Sequence, residues 1–143
     1  MTFNPLTLGN KLILRNMLRT LFKQEHIKKW QLVFWLNGLL LLYLTLMPSI
    51  DSGLSYPHAD KLFHFIGFGA FALFCGLAFR QLNYLWVILI ASSLGVIVEI
   101  AQSFLPHRGF SYADMLADLI GIIAAVIVLH LSGLRRKTKN SDE

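Results

Sequence analysis

The sequence predicts an all-α integral membrane protein built on a bundle of four transmembrane helices. Its composition is 55% hydrophobic and only 15% charged, which is more apolar surface than a soluble domain of 143 residues can bury. Four apolar runs carry this excess, and each approaches the roughly 20 residues with which a helix crosses a bilayer. The runs are residues 30–47, 62–79, 84–105 and 115–131. They are too long and too uniformly apolar to be the alternating strands of a membrane barrel.

Basic residues are distributed unevenly along the chain, and this distribution predicts the orientation in the membrane. Eleven of the 13 Lys and Arg residues precede the first run, separate the second from the third, or follow the fourth. The other two, Lys61 and Arg108, fall on the opposite side. Because cytoplasmic segments are enriched in Lys and Arg, we expect both termini in the cytoplasm. Topology accounts for the formal charge of +5, so we expect no nucleic-acid partner.

The segment before the first run combines basic and apolar positions at helical spacing. Basic residues stand at positions 11, 15, 19 and 23, while Ile13, Met17 and Leu21 fall on another face. This pattern favours an amphipathic helix on the inner leaflet, with a solvated flank as the alternative. We therefore divide the chain into a basic interfacial segment (1–29), a transmembrane domain (30–134) and a basic polar cytoplasmic tail (135–143).

The first two predicted spans differ in their polar content. The first is plain apart from Asn37 and Tyr43, whereas the second opens with the polar stretch "DKLFH". Gly69, Ala72 and Gly76 follow at helical spacing and predict a seam of small residues for close contact with another helix. The connection "RQLN" between the second and third runs is long enough only for a tight turn.

The third and fourth spans each carry a stripe in which small residues lie deep and polar residues lie near one end. Polar groups on such a seam face the bundle rather than lipid. The stripes are Ser92, Gly95, Glu99 and Gln102 in the third span, and Asp114, Ala117, Asp118, Gly121 and Ala125 in the fourth.

An up-and-down arrangement of the spans brings these polar residues to one depth, the outer membrane boundary. Ionisable residues inside a membrane are costly and usually functional, so we expect a site there. Histidine and carboxylates move protons, and we expect catalytic candidates at His64, Glu99 and Asp114. The predicted binding residues are Asp60, Lys61, Gln102, Arg108 and Asp118.

Two stretches together resemble the VanZ-like family of small bacterial membrane proteins. They are "DKLFHFIGFGAF" and "EIAQSFLPHRGFSYADMLADLIG". The family pattern matches this chain at Asp60, Lys61, His64, Glu99, Gln102, Pro106, Arg108, Asp114 and Gly121. The chain departs from it at Asp118, where Asn is usual, and at Phe68, where Tyr is common. The resemblance covers about residues 30–134 and implies a multi-pass protein of the bacterial inner membrane, with a link to resistance against the glycopeptide teicoplanin.

The first functional hypothesis is a site that binds or acts on an envelope lipid or a lipid-linked intermediate. Lys61 and Arg108 would hold its phosphate, and His64 or Glu99 would move a proton. Membrane lipids are then the expected partners. The sequence predicts neither whether the protein catalyses a reaction nor its oligomeric state.

Other interpretations stay open beside the lipid site. In the first alternative the polar groups have a purely structural role and tie helix ends together. Arg108 would then neutralise Glu99, and Lys61 would neutralise Asp60 or Asp118. A metal site is a further alternative, with N and O ligands available from His64, Glu99, His107, Asp114 and Asp118. The sequence lacks HExxH-type spacing, so we predict no metal and no cofactor. A proton or ion path is a further alternative, which Glu99 suggests. It ranks last because the inner halves of the spans carry no continuing chain of ionisable groups.

Overall fold

The computed structural model describes residues 26–47, 59–106 and 108–132, together with residue 13. These residues form helices and connecting turns, with no strand among them. The helices are α1 (Ile27–Leu46), α2 (Ala59–Ala78), α3 (Tyr84–Gln102) and α4 (Tyr112–Ser132). Each of the four is long and apolar enough to cross a membrane, as the sequence predicts.

Several predictions from the sequence fall on other parts of the chain. Apart from Ile13, which is exposed, the predicted amphipathic N-terminal helix lies outside the described residues. The same holds for the tail 135–143, the connection between α1 and α2, and His107.

Side chains at the helix starts fix where α3 and α4 begin. The Asn83 side chain accepts a hydrogen bond from the Trp86 backbone N–H at 2.9 Å. At α4, Ser111 Oγ accepts one from the Asp114 backbone N–H at 3.2 Å. Each contact satisfies one of the N–H groups that the first helical turn leaves without a partner. Asn83 ends the tight turn predicted after α2, so α3 starts directly beside the end of α2.

Helices α2 and α4 pack backbone against backbone along the predicted small-residue seam. A Cβ atom at Gly69 would lie 3.1 Å from the Gly121 carbonyl oxygen, and one at Gly121 would overlap the Phe65 carbonyl oxygen. Gly76 in turn makes room for the side chain of Leu129. At Gly121 the overlapping atom belongs to the backbone and cannot rotate aside, so this close approach requires glycine there.

Apolar side chains fill the centre of the bundle and also cover its outside. Phe68 and Ile122 are fully buried, and Phe34 of α1 packs on Phe71 of α2 with ring centroids 4.9 Å apart. Large apolar residues such as Trp35 and Phe63 are exposed at 63% and 73%. An apolar surface of this extent would be unfavourable in water but suits a helix bundle surrounded by lipid.

The four helices alternate in direction, so helix ends from different parts of the chain meet. The Gln102 side chain at the end of α3 contacts the backbone of Thr45 at the end of α1. At the same end of the bundle, His64 near the start of α2 contacts Asp118 near the start of α4. This end therefore collects residues that stand more than fifty positions apart in the sequence.

Candidate functional site

All eight predicted site residues lie at this one end of the bundle, which we call the polar end. It comprises Asp60, Lys61, His64, Glu99, Gln102, Arg108, Asp114 and Asp118. Four of them are buried to 5% exposure or less even though they are polar or ionisable, namely His64, Glu99, Gln102 and Asp118. The structure thus brings together the residues that the stripes predict, and it divides them into three groups of contacts.

The deepest group consists of His64, Glu99 and Asp118, which we call the buried triad. His64 Nδ1 lies 2.9 Å from Asp118 Oδ1 and 3.9 Å from Glu99 Oε1. The ring of His64 stacks over Phe68 with centroids 6.0 Å apart, which restricts its orientation. Three different helices each contribute one member, so the bundle itself sets the geometry.

Two carboxylate oxygens of the buried triad are unusual because they are buried without a hydrogen-bond partner. Within the described part of the chain, neither Glu99 Oε1 nor Asp118 Oδ2 accepts a hydrogen bond. Leaving a buried acceptor unsatisfied costs about 1–3 kcal/mol, and more when the group is charged. Groups of this kind in a folded protein generally have a partner that the protein chain does not supply, such as a water, an ion or a ligand.

The other oxygen of Glu99 has a partner in the connection before α4. Glu99 Oε2 accepts a hydrogen bond from the Ser111 backbone N–H at 2.8 Å, while the Ser111 hydroxyl caps α4. Ser111 is not among the residues predicted from the sequence. Its signal is the spacing Ser-x-x-Asp at the start of an apolar run, which is typical of a helix N-terminus.

A second group of contacts converges on the backbone of α1. The Thr45 carbonyl oxygen accepts hydrogen bonds from Gln102 Nε2 at 2.8 Å and from Arg108 Nη1 at 3.1 Å. The last carbonyls of a helix lack partners within it and attract positive charge, which explains why an amide and a guanidinium meet there. Among the described residues no carboxylate lies within ion-pair distance of Arg108. Arg108 therefore ties α1 to the α3–α4 connection and does not neutralise Glu99.

Lys61 forms the third group, at the rim of the polar end. Its ammonium group lies 3.0 Å from Asp60 Oδ2 and 3.2 Å from Asp114 Oδ1. The Asp60 side chain is 58% exposed and that of Lys61 is 35% exposed, whereas that of Asp114 is 11% exposed. Lys61 thus neutralises Asp60, as one alternative expects, but its second partner is Asp114 rather than Asp118.

The polar end carries more acidic than basic groups. Four carboxylates face two basic side chains, which leaves a formal charge of −2 when His64 is neutral and the carboxylates are ionised. Among the described residues, neither basic side chain forms an ion pair with the buried triad: Arg108 contacts the Thr45 carbonyl, and Lys61 contacts Asp60 and Asp114 at the rim. The triad is therefore the place where negative charge is least compensated.

A small cavity lies between Asp118 of the buried triad and the outer surface of the helices. It measures ≈ 120 Å³ and lies between α3 and α4, with Ser92, Gly95 and Asp118 on its polar wall. Val96 and Leu119 form its exposed rim. A Cβ atom at Gly95 would lie 2.9 Å from Asp118 Oδ2, so glycine makes the space in which this oxygen sits.

Chemically, this arrangement offers an acid–base pair and a set of cation ligands. His64 and Asp118 are at hydrogen-bond distance and could pass a proton between them. The three members of the buried triad could also hold a metal ion, because their donor atoms all lie within 4.8 Å of one another. Asp114, which the sequence offers as a further ligand, instead contacts Lys61.

Comparison with known proteins gives the family of the chain. The family model VanZ/LLP1 matches residues 10–133, which includes all four helices and the whole polar end. Searches of curated proteins and of solved structures returned no significant match. The resemblance inferred from the two polar stretches is thereby confirmed, and the chain belongs to the VanZ/LLP1 family.

Proposed function

We propose that the chain binds a phosphate-bearing envelope lipid, or a lipid-linked intermediate, with the lipid headgroup at the polar end. The observation that carries this proposal is the cavity between α3 and α4, which joins the buried Asp118 carboxylate to the apolar outer surface. A ligand that fits both environments has a polar head and an apolar tail. Lipids are the class of molecule that has both and is present around a transmembrane bundle.

Lys61 and Arg108 are the groups that would hold the phosphate. Lys61 has three N–H donors and uses two of them on Asp60 and Asp114. Arg108 has five donors in a planar fork, and its Nη1 contacts the Thr45 carbonyl. Both side chains therefore keep donors for an anion, and the fork of Arg108 suits two oxygens of one phosphate.

The predicted catalytic roles follow from the same placement. A headgroup at the polar end would meet the His64–Asp118 pair with Glu99 beside it, and Asp114 would lie at the rim through its contact with Lys61. These groups suit proton transfer at a bound phosphate or hydroxyl. Binding is the more general function and does not depend on a reaction.

The orientation that the basic residues predict would place this site on the outer side of the bacterial inner membrane. Both termini would then be cytoplasmic, and the basic segment 1–29 would lie along the inner leaflet. A lipid site on the outer side faces the compartment in which glycopeptides act. We accordingly propose that the protein alters glycopeptide susceptibility through an envelope lipid.

A structural role is the second candidate, and the contacts to Thr45 favour it. Gln102 and Arg108 together join α1 to α3 and to the connection before α4 through one carbonyl oxygen. If tying helix ends were the whole purpose, changes at the polar end would lower stability and lipid binding together. The two functions therefore differ in whether binding can be lost while folding stays intact.

Lipid binding can be tested with a pair of tryptophan substitutions at neighbouring positions. Leu119→Trp would fill the rim of the cavity, whereas Ile120→Trp adds the same side chain at an exposed position outside it. Each protein would be purified in detergent, and retention of a polyprenyl phosphate, phosphatidylglycerol or diacylglycerol would be measured by native mass spectrometry. We expect the wild-type protein and Ile120→Trp to retain the phosphate-bearing lipids but not diacylglycerol. Leu119→Trp should weaken retention by about ten-fold, which corresponds to ~1.4 kcal/mol.

Two outcomes would overturn the proposal. Equal retention of all three lipids would mean that the phosphate is not recognised. Equal retention by Leu119→Trp and Ile120→Trp would mean that the cavity between α3 and α4 is not where the lipid binds. Thermal unfolding of both variants in detergent provides the control for folding.

A further inference from the structure

We propose that the buried triad of His64, Glu99 and Asp118 binds one divalent transition-metal ion, and that this ion makes the polar end attractive to an anionic headgroup. The metal site goes beyond lipid binding and stands on its own geometry. Only the link to the headgroup rests on the proposed function.

The two distances that join His64 to the other members of the buried triad are close to those in a metal site. Nitrogen and carboxylate ligand atoms lie about 2.0–2.2 Å from an ion such as Zn²⁺. Two ligand atoms of one ion are therefore roughly 3.0 Å apart when the ligand–metal–ligand angle is a right angle, and roughly 3.4 Å apart when it is tetrahedral. His64 Nδ1 lies 2.9 Å from Asp118 Oδ1 and 3.9 Å from Glu99 Oε1. The first distance fits directly, and the second requires the Glu99 oxygen to move by about half an ångström.

The unpartnered oxygens supply an independent observation that points to a ligand. Glu99 Oε1 lies 3.9 Å from His64 Nδ1, and in the described part of the chain nothing donates a hydrogen bond to it. Asp118 Oδ2 is in the same situation, and both residues are at most 2% exposed. A cation would satisfy these oxygens, because a carboxylate can offer a metal ion one oxygen or both.

Local charge favours a cation in the same place. The polar end has a formal charge of −2, and the basic groups Lys61 and Arg108 make their contacts with Asp114 and with the Thr45 carbonyl rather than with the buried triad. A divalent ion would bring this end of the bundle to neutrality. It would also remove the repulsion that the carboxylates otherwise exert on a phosphate, since opposite charges at short range in a low-dielectric site interact strongly.

The ligand set indicates the chemical class of the ion. One imidazole nitrogen with two carboxylates is a mixed N/O ligand set. Such a set suits Zn²⁺ or Mn²⁺ better than Mg²⁺ or Ca²⁺, which prefer sites built from oxygen ligands alone. Three protein ligands leave coordination positions open, which is typical of a site that also binds water or substrate. The cavity beside Asp118 lies where an additional ligand could approach.

The metal site can be tested on the purified protein without any lipid. Protein stripped with a chelator would be titrated with Mn²⁺ and with Zn²⁺ by calorimetry, and bound Mn²⁺ would be examined by electron paramagnetic resonance for coupling to a histidine nitrogen. We expect one ion per chain and a higher thermal unfolding temperature in its presence, because an ion that binds only the folded state stabilises it.

Matched variants separate the proposed ligands from other metal-binding groups. His64→Gln and Glu99→Gln should each lower affinity for the ion by at least about ten-fold, since even partners outside the ligand shell cost 10–100-fold. His130→Gln makes the same replacement at an exposed histidine of α4 outside the polar end and should leave affinity unchanged. Glu99→Gln preserves the shape of the side chain, so it keeps the test decisive if His64→Gln fails to fold.

The possible results distinguish this inference from the proposed function. Absence of a bound ion, or equal affinity in wild type and Glu99→Gln, would overturn the metal site. If polyprenyl phosphate is retained equally with Mn²⁺ and with chelator while no ion binds, lipid binding stands and the metal site fails. If one ion binds but polyprenyl phosphate is not retained, the metal site stands and the proposed function fails. A phosphate-bearing lipid that is retained only with the ion would support both.

Discussion

His64 Nδ1 of α2 lies 2.9 Å from Asp118 Oδ1 of α4, although 54 residues separate them in the sequence. Three residues after Asp118, Gly121 of α4 faces the Phe65 carbonyl oxygen of α2, and Phe65 directly follows His64. The polar contact and the glycine contact therefore depend on one another. Any change that separates α2 from α4 at Gly121 should also separate His64 from Asp118.

This dependence predicts that Gly121→Ala destabilises the fold and weakens the site. The added Cβ would overlap a backbone carbonyl, which cannot rotate away, so the helices must move apart. Overpacking of this kind costs about 1–3 kcal/mol, which exceeds the roughly 0.5–1 kcal/mol that alanine gains over glycine in a helix. We expect lower thermal stability in detergent together with weaker retention of Mn²⁺ and polyprenyl phosphate.

Gly109→Ala is the matched control for this prediction. Gly109 lies in the connection before α4, and a Cβ atom there would meet nothing within 4 Å. Its unfolding temperature and its binding should therefore equal those of the wild type. An unchanged unfolding temperature in Gly121→Ala would show that α2 and α4 do not need the close approach.

The four helices and the convergence of their polar residues could be predicted from the sequence because both depend on patterns longer than one residue. Four apolar runs of bilayer length predict the four helices. Because consecutive helices alternate in direction, the polar residues at the starts of α2 and α4 and at the end of α3 are expected at the same end of the bundle. The small-residue seam predicted the approach of α2 to another helix, and Gly69 and Gly121 realise it.

The individual pairings could not be predicted because they depend on side-chain conformation and on backbone atoms. Lys61 reaches Asp114 rather than Asp118, a choice that helical spacing alone does not decide. Arg108 contacts the Thr45 carbonyl, which is a backbone group on a helix without a notable side-chain pattern. Thr45 itself uses its hydroxyl on the Leu41 carbonyl, so nothing in its residue type marks the site.

Topology can be checked with reporter fusions at the connections between helices. If both termini are cytoplasmic, a periplasmic reporter such as alkaline phosphatase should be active when fused after Leu54 or after Gly109. It should be inactive when fused after Arg80, because the turn between α2 and α3 would lie in the cytoplasm. Activity after Arg80 together with inactivity after Leu54 would reverse the orientation and place the polar end on the cytoplasmic side.

Replacing Arg108 by Lys tests whether the guanidinium does more than bind Thr45. Gln102 would still occupy the Thr45 carbonyl, so we expect little change in unfolding temperature. Lysine lacks the planar fork, and a charge-assisted hydrogen bond contributes about 1.5–3 kcal/mol, so retention of polyprenyl phosphate should fall by about ten-fold or more. A variant that binds the lipid as well as the wild type would assign Arg108 to the structural role alone.

Glu99→Gln gives the sharpest separation between a structural and a functional polar end. The amide keeps the size of the side chain and can still accept the hydrogen bond from the Ser111 backbone N–H, while a fully buried charge is removed. Neutral groups often replace buried charges without loss of stability, so the unfolding temperature in detergent should be unchanged or higher.

The Glu99→Gln variant also loses a carboxylate that the metal site and any proton transfer require, because an amide is neither a base nor a strong cation ligand. We therefore expect a folded protein that binds Mn²⁺ at least about ten-fold more weakly, retains less polyprenyl phosphate and no longer alters glycopeptide susceptibility in cells. Loss of folding in parallel with binding, or full binding in the folded variant, would assign Glu99 to the ties between helix ends.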